Sequence, residues 1–327
     1  MKKVGVIGAG TMGGVHAEAW QSTEADLVGV FDIVPAAAQK LTDKLGIESF
    51  PNRESLLEAV DIVDVCVPTP SHKDNVLAAI EAGKHVVCEK PMAPTLGDCA
   101  DMIRAAEDKG VRLFIAQVVR FFPAYATAKR IIDEGRIGKL GVIRLNRGGG
   151  HPGGWFAVEE ESGGTLLDLM VHDFDYLRWI AGDVERVYCQ RYLSDEGDYS
   201  LVTARLRSGA IAHIEGSWAY PAGIFRTSFD IAGDDGLLTF DSERTAPLQV
   251  RLKQEEAARG GVIVPSSPLV PEDNPYRQEI VHFYECLLSG EEFMVTPRDA
   301  MAAVQIALAA RQSWQTGEPV TLETLSV

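Results

Sequence analysis

The chain has 327 residues, 46% hydrophobic and 24% charged, an ordinary globular make-up and long enough for two domains. Its 47 acidic and 31 basic side chains leave a formal net charge of −16. A field of that sign repels nucleic acid and anionic membrane surfaces, so neither is expected as a partner, although a local arginine cluster could still hold an anionic substrate.

The N-terminus reads as a strand followed by a helix. Val4, Val6 and Ile7 lead into Gly8-x-Gly10-x-x-Gly13. The first glycine permits a tight turn, the second lets backbone approach a pyrophosphate, and the third lets helix pack on strand. Free N–H groups at the helix start, around Thr11 and Met12, suit the negative charge. Met1-Lys-Lys before this run imitates a signal peptide, but glycines interrupt it, and His16 and Glu18 come too early for a cleavage site. No apolar stretch approaches the length of a membrane span, so a cytoplasmic protein is expected. The next strand, Leu27–Phe31, ends in Asp32, placed to accept hydrogen bonds from an adenosine ribose and to repel a 2′-phosphate. NAD is therefore favoured over NADP.

Alternation of strand and helix continues. A helix near 35–45 closes at Gly46, a buried strand covers 61–67, and Ser71 looks like the N-cap of a helix running to Gly83. His85–Cys88 is a short strand, Thr95-x-x-Asp98 resembles a capping box for a helix ending near Gly110, and Arg112–Ala116 is a further strand. This pattern predicts a Rossmann-type doubly wound parallel sheet over residues 1–120.

Beyond residue 120 the rhythm changes. A helix over 123–135, a strand over Leu140–Asn146, a Gly-rich loop over Gly148–Gly154 and a helix from Thr165 to about Ala181 are predicted. Closely spaced strands over 184–254, with turns at 195–198, 208–209 and 234–236, suggest a mostly antiparallel open sheet. Residues 255–274 read as an irregular connection. Two helices follow, the second opened by Thr296-Pro297-Arg298-Asp299. Residues 121–327 are thus expected to form one α+β domain. The five cysteines, Cys66, Cys88, Cys99, Cys189 and Cys286, are odd in number and lack C-x-x-C spacing. That pattern fits buried small hydrophobes in a reducing compartment, with no disulfide framework and no metal site.

Two segments carry candidate chemistry. Glu89-Lys90-Pro91 ends a parallel strand, where ligands of such sheets bind. A lysine fixed there could hold a substrate hydroxyl or polarise the carbonyl oxygen formed on oxidation, or it could be a surface lysine beside a turn. In Gly163-Gly164-Thr165-x-x-Asp168-x-x-x-His172, a regular helix sets Asp168 and His172 only about 40° apart on one face. Histidine is the natural proton acceptor near neutral pH. An Asp–His pair can equally just satisfy a polar helix face.

Taken in order, Gly8/Gly10/Gly13, Asp32, Glu89-Lys90-Pro91 and Asp168-x-x-x-His172 closely resemble the Gfo/Idh/MocA family of NAD(P)-dependent oxidoreductases, which includes inositol dehydrogenases and glucose–fructose oxidoreductase. The resemblance covers the whole chain, including Thr69-Pro-Ser-His72, the segment around Trp155 and the closing Thr-Pro-Arg-Asp helix. It implies an NAD-dependent dehydrogenase of a cyclic polyol or sugar, working as a homodimer or homotetramer. Lys90 would polarise the reacting oxygen, Asp168 would bind a substrate hydroxyl and His172 would act as base. Thr11 and Met12 would meet the pyrophosphate, while Thr69, His72, Glu89 and Gln117 fall where family members approach ribose and nicotinamide. Substrate choice would lie with the loop 151–161, including His151 and Trp155. The family's Gly-Gly-Gly is Gly163-Gly164-Thr165 here, a departure expected to be tolerated because Thr can cap a helix. A reductase of another keto or imine substrate, such as a nucleotide-linked sugar answered by Arg144, Arg147 or Arg226, is an alternative. So is an NAD-binding regulatory protein without catalysis, against which stands the survival of Lys90, Asp168 and His172.

Overall fold

A computed structural model describes residues 1–243 and 274–325, in two compact units. The first holds Met1–Phe121 together with residues 274–301, and the second holds residues 122–243 and 302–325. The expected connection over 255–274 falls almost wholly outside the described residues.

The first unit is built from β1 (Lys3–Ile7), α1 (Thr11–Gln21), β2 (Asp26–Phe31), α2 (Pro35–Leu45), β3 (Glu48–Ser49), α3 (Arg53–Ala59), β4 (Ile62–Val65), α4 (His72–Glu81), β5 (His85–Glu89), α5 (Leu96–Lys109) and β6 (Leu113–Ala116). All six strands are parallel, in the order β3-β2-β1-β4-β5-β6. The order reverses between β1 and β4, which opens a crevice at the carboxyl ends of these strands. Local signals set the helix ends. Gly46 and Gly110 close α2 and α5 in the left-handed region, and Thr95 Oγ1 accepts the Asp98 N–H at 3.1 Å. Ser71 departs from expectation: its side chain caps nothing, and Thr69–Ser71 instead form a 3-10 turn leading into α4.

In the second unit the elements are α6 (Pro123–Asp133), β7 (Leu140–Gly150), the single-turn α7 (Glu159–Ser162), α8 (Val171–Ala181), β8 (Val184–Ser194), β9 (Gly197–Leu206), β10 (Ile211–Tyr220), β11 (Phe225–Gly233) and β12 (Leu237–Asp241). Later in the chain come α9 (Pro275–Ser289), which belongs to the first unit, α10 (Pro297–Thr316), most of which lies in the second, and β13 (Val320–Thr321), also in the second. Seven strands form one sheet, β12-β11-β7-β10-β9-β8-β13, antiparallel except where β7 meets β10. β7 runs through Gly150, so three residues of the expected Gly-rich loop are strand. A Cβ at Gly148 would run into the ring of Tyr220, which explains how small residues are used inside a strand here.

The chain does not leave the first unit for good at residue 120. α9 packs on α1, where Trp20 meets Phe283 and Tyr284 edge-on at 5.9 and 6.2 Å, and Phe293 meets Phe114 at 5.3 Å. Ile280, Phe283 and Val295 join Val4, Trp20 and Ile62 in a single core. Residues 274–301 are therefore part of the first unit's core, against the single C-terminal domain expected from the sequence. Such a return depends on which apolar face meets which, and periodicity does not carry that information.

Candidate active site

In the first unit the glycine motif sits at the end of β1. Gly8 adopts φ +103°, and a Cβ on it would strike the Cys66 carbonyl; a Cβ on Gly13 would strike the carbonyl of Gly8. Nothing lies within 4 Å of a Cβ built on Gly10, so the space in front of that backbone is open. Helix α1, with Thr11 and Met12 in its first turn, starts at Gly10 without a side-chain cap or an acidic residue. Its first-turn N–H groups are thus left to an anion. Asp32 at the end of β2 braces this loop: its two oxygens accept the N–H groups of Ala9 and Val34, each at 2.7 Å. The carboxylate is half-buried, and each of its oxygens has acceptor capacity beyond the one backbone N–H it takes here. These residues fit a dinucleotide.

At the neighbouring strand ends lie Thr69, His72, Glu89, Lys90 and Gln117. Gln117, after β6, is fully buried, and among the described residues neither its amide oxygen nor its amide nitrogen has a hydrogen-bond partner. Such an amide fits the polar edge of a bound group. His72 is different from expectation. Its Nδ1 lies 2.9 Å from the Pro91 carbonyl and its Nε2 2.9 Å from the Val67 carbonyl. Both nitrogens face backbone, so His72 ties the segment after β4 to the segment after β5 and has none left for cofactor. Burial pushes its pKa below the usual imidazole range, against the pull of those two carbonyls. Thr69 is likewise buried. Lys90 is half-buried, and its backbone N–H donates to Glu89 Oε2 at 3.0 Å.

Beneath Glu89 is a group that sequence reasoning missed. His16, on α1, is fully buried; its Nδ1 lies 2.9 Å from Asp64 Oδ2, and its Nε2 lies 3.0 Å from Glu89 Oε1, a charge contact without hydrogen-bond alignment. Trp20 Nε1 donates to Asp64 Oδ2 at 2.7 Å, and the Cys66 thiol donates to Asp64 Oδ1 at 3.3 Å. Burial opposes an imidazolium here, yet the Asp64 carboxylate overrides it and holds His16 well above the usual imidazole range. One signal was available: Asp64 interrupts the apolar run Ile62-Val63-Asp64-Val65, and a carboxylate inside a parallel strand needs a partner. All five cysteines are buried and free, as their scatter suggests.

In the second unit Asp168 and His172 do not share one regular helix. Thr165–Leu169 form a π-helical turn, closed by the Met170 N–H to the Thr165 carbonyl at 2.8 Å, and α8 begins only at Val171. The extra residue changes the angle between the two side chains, so the 40° figure does not apply. Turns of this kind concentrate at functional sites. Asp168 is buried and His172 half-buried. Thr165 does not cap this turn: Gly164 stands at its head, while the Thr165 N–H donates to Asp198 Oδ2 at 2.8 Å and its hydroxyl pairs with Ser200 at 2.8 Å.

Arginines support this turn. Arg191, wholly buried, binds Asp198 at 2.7 Å through two nitrogens, grips Glu159 and stacks over Trp314 at 4.7 Å. Arg311 donates to the Gly163 carbonyl at 3.0 Å. Next to His172, Asp173 is pushed up by burial and held back by Arg147, which binds it at 2.7 and 3.0 Å. Arg147 is thereby committed to a buried structural pair, whereas Arg226 pairs with Asp241 at 2.7 Å with its side chain 40% exposed. His151 and Trp155 are half-buried, with Trp155 stacked on Phe156 at 4.0 Å between ring centroids.

Comparison with known proteins settles the lineage. Residues 2–117 match the oxidoreductase family model with an NAD-binding Rossmann fold, and residues 125–239 match the GFO/IDH/MocA C-terminal domain. The chain belongs to the GFO/IDH/MocA family of oxidoreductases. Within the family it is similar to myo-inositol 2-dehydrogenase of Thermotoga maritima, 31% identical over 98% of each chain. It is also similar to the NAD(+)-dependent scyllo-inositol 2-dehydrogenase of Bacillus subtilis, 29% identical over 97% of this chain and 95% of the relative. Among solved structures, GenD2 from gentamicin A biosynthesis, in complex with NAD, superposes with a TM-score of 0.86 at 26% identity, covering 99% of this chain and 97% of that one. The matched N-terminal model is an NAD-binding Rossmann fold, so NAD is the cofactor of this oxidoreductase.

Proposed function

We propose that the protein is an NAD-dependent dehydrogenase that oxidises a secondary alcohol of a cyclic polyol or sugar, with an inositol as the leading candidate. Full-length similarity to inositol 2-dehydrogenases is the observation that carries this reading. Lys90, Asp168 and His172 are the residues that supply its chemistry. His172 accepts the hydroxyl proton, a task suited to an imidazole near neutral pH. Lys90 donates to the same oxygen and stabilises the negative charge that grows on it. Asp168 accepts a hydrogen bond from a neighbouring substrate hydroxyl and so fixes which carbon is presented. Thr11, Met12 and the glycines take the pyrophosphate, Asp32 the adenosine ribose, and Gln117 and Glu89 lie at strand ends suited to the nicotinamide half. NAD when bound supplies the hydride acceptor. His151 and Trp155 belong to the loop that shapes the substrate side. Commitment of Arg147 to the buried Asp173 removes one of the three arginines that the charged, nucleotide-linked alternative called on.

The same reading includes a cytoplasmic homo-oligomer, dimer or tetramer. Free cysteines support a reducing compartment, and no helix among the described residues is long and apolar enough to cross a membrane. Tyr188 and Tyr192, on one exposed face of β8, support association of copies; sedimentation of the purified chain decides it, and a monomer at micromolar concentration would remove this part. For the activity, nicotinamide absorbance is followed with NAD and a panel of inositols, aldoses and sugar acids. Turnover confined to cyclic polyols or sugars supports the proposal. Silence across the panel with NAD still bound would favour an untested keto substrate or a regulatory protein.

A further inference from the structure

We propose that His16 is a positioning residue for Lys90, acting through Glu89. The inference rests on the reading of Lys90 as a catalytic residue and extends it to a histidine that touches neither substrate nor cofactor. Three observations carry it. First, His16 has no access to solvent and stands between two carboxylates, with Asp64 at 2.9 Å on one side and Glu89 at 3.0 Å on the other. Second, the two carboxylates are not equally supported. Asp64 also receives the Trp20 N–H and the Cys66 thiol, whereas Glu89 meets His16 through Oε1. Third, the second oxygen of Glu89 accepts the backbone N–H of Lys90 at 3.0 Å. The carboxylate is thus a two-ended link, with the imidazole of α1 at one end and the backbone of the lysine at the other.

The physical consequence follows from desolvation. A buried carboxylate without its cation turns to whatever solvent it can reach. Glu89 lies at the surface-proximal edge of the cluster, 7% exposed, while Asp64 is sealed. Removing His16 therefore releases Glu89 rather than Asp64, and Glu89 in turning outward gives up the Lys90 N–H. The lysine then loses the fixed backbone from which its side chain is aimed, and misplacement of a reacting group by a fraction of a bond length costs rate more than binding. A metal-holding role suits this cluster poorly although His16, Asp64 and Cys66 offer donor atoms within 4.8 Å of one another. Both ring nitrogens already face carboxylates, and burial raises the Cys66 pKa and keeps its thiol protonated.

The test measures Lys90 directly, without substrate. Amide hydrogen exchange is followed by NMR in the full chain for wild type, His16→Ala and the more conservative His16→Gln, which keeps an N–H donor but no charge. The expected result is exchange of the Lys90 amide at least about tenfold faster in His16→Ala, with the amides of Val6 and Val65 unchanged and His16→Gln in between. In parallel, kcat is expected to fall about tenfold in His16→Ala at unaltered affinity for NAD, and to change less than about twofold when the same substitution is added to Glu89→Gln. Wild-type exchange at Lys90 in a folded His16 variant overturns the proposal, as does full additivity with Glu89→Gln. If His16→Ala does not fold, His16→Gln carries the same exchange test. Failure of the underlying reading has a different signature: Lys90→Ala would retain turnover, while the exchange result at Lys90 would stand.

Discussion

The two units solve one problem with different cations. Each carries residues proposed to do the chemistry, Lys90 in the first and Asp168 and His172 in the second, and each supports them with buried ion pairs. In the first unit the central cation is an imidazole, His16, between Asp64 and Glu89. In the second it is a guanidinium, Arg191 with Asp198 and Glu159, and alongside it Arg147 with Asp173. An arginine stays charged at any pH a protein survives and holds a carboxylate through a planar fork. An imidazole can lose its proton. The difference teaches that the second unit's support is permanent, whereas that of the first is conditional on protonation.

The largest expected effects come from removing the reacting residues themselves. Lys90→Ala and His172→Ala should each lower kcat by about 100-fold or more, with NAD affinity kept within about twofold, measured by steady-state kinetics and fluorescence titration. Comparable turnover in either variant removes that residue from the mechanism. Next is Arg191→Ala, which leaves Asp198, the acceptor of the Thr165 N–H at the π-turn, buried without its cation. It should destabilise the second unit by about 3 kcal/mol, the low end for a broken buried pair because Glu159 is partly exposed. Thermal unfolding monitored by calorimetry checks this, and retention of NAD binding by the variant would show that the first unit is untouched.

How far the site was legible in the sequence follows the same divide. The placement of Gly8, Gly10, Gly13, Asp32 and Lys90 was readable because it is local: a turn, a helix start, a strand end. Most of the strand and helix order through residue 116 was readable for the same reason, but β3 (Glu48–Ser49) and α3 (Arg53–Ala59) fell in a stretch where no element was expected. His16 with Asp64 and Glu89 was not, since the partners lie 48 and 73 positions away and only the sheet brings them together. The π-turn at Thr165–Leu169 was hidden because one inserted residue leaves the apolar pattern almost intact. His72 was misjudged because a histidine in a loop beside a ligand site and one locked on two carbonyls look alike in sequence. The return of α9 to the first unit needed the edge contacts of Trp20 and Phe283, which no local pattern encodes.

A smaller effect sharpens the contrast in protonation. The fold raises the His16 pKa, burial opposing and the Asp64 carboxylate prevailing, with Glu89 and the Cys66 thiol the other titratable groups facing the ring. The folded state therefore holds a proton that the unfolded chain releases. The stabilisation is complete below the unfolded value of about 6.5, declines by at most about 1.4 kcal/mol per pH unit above it, and is gone once pH passes the raised folded value. Urea unfolding from pH 6 to 9 should show this decline in wild type and not in His16→Gln; equal slopes would place the conditional support elsewhere. The smallest change expected is in Asp32→Ala. It should weaken NAD by about tenfold, one charged hydrogen bond, and narrow the preference over NADP. An unchanged cofactor ratio would mean that Asp32 braces the glycine loop through Ala9 without reading the ribose.

The central claim is that this chain moves a hydride from an alcohol carbon to nicotinamide. The most direct test is turnover of the panel's best polyol carrying deuterium on the carbinol carbon, with the NADH formed analysed by mass and NMR. The account predicts deuterium on the nicotinamide ring of NADH and none in water. Deuterium lost to solvent, or retained on a substrate that NAD has left unoxidised, would contradict it.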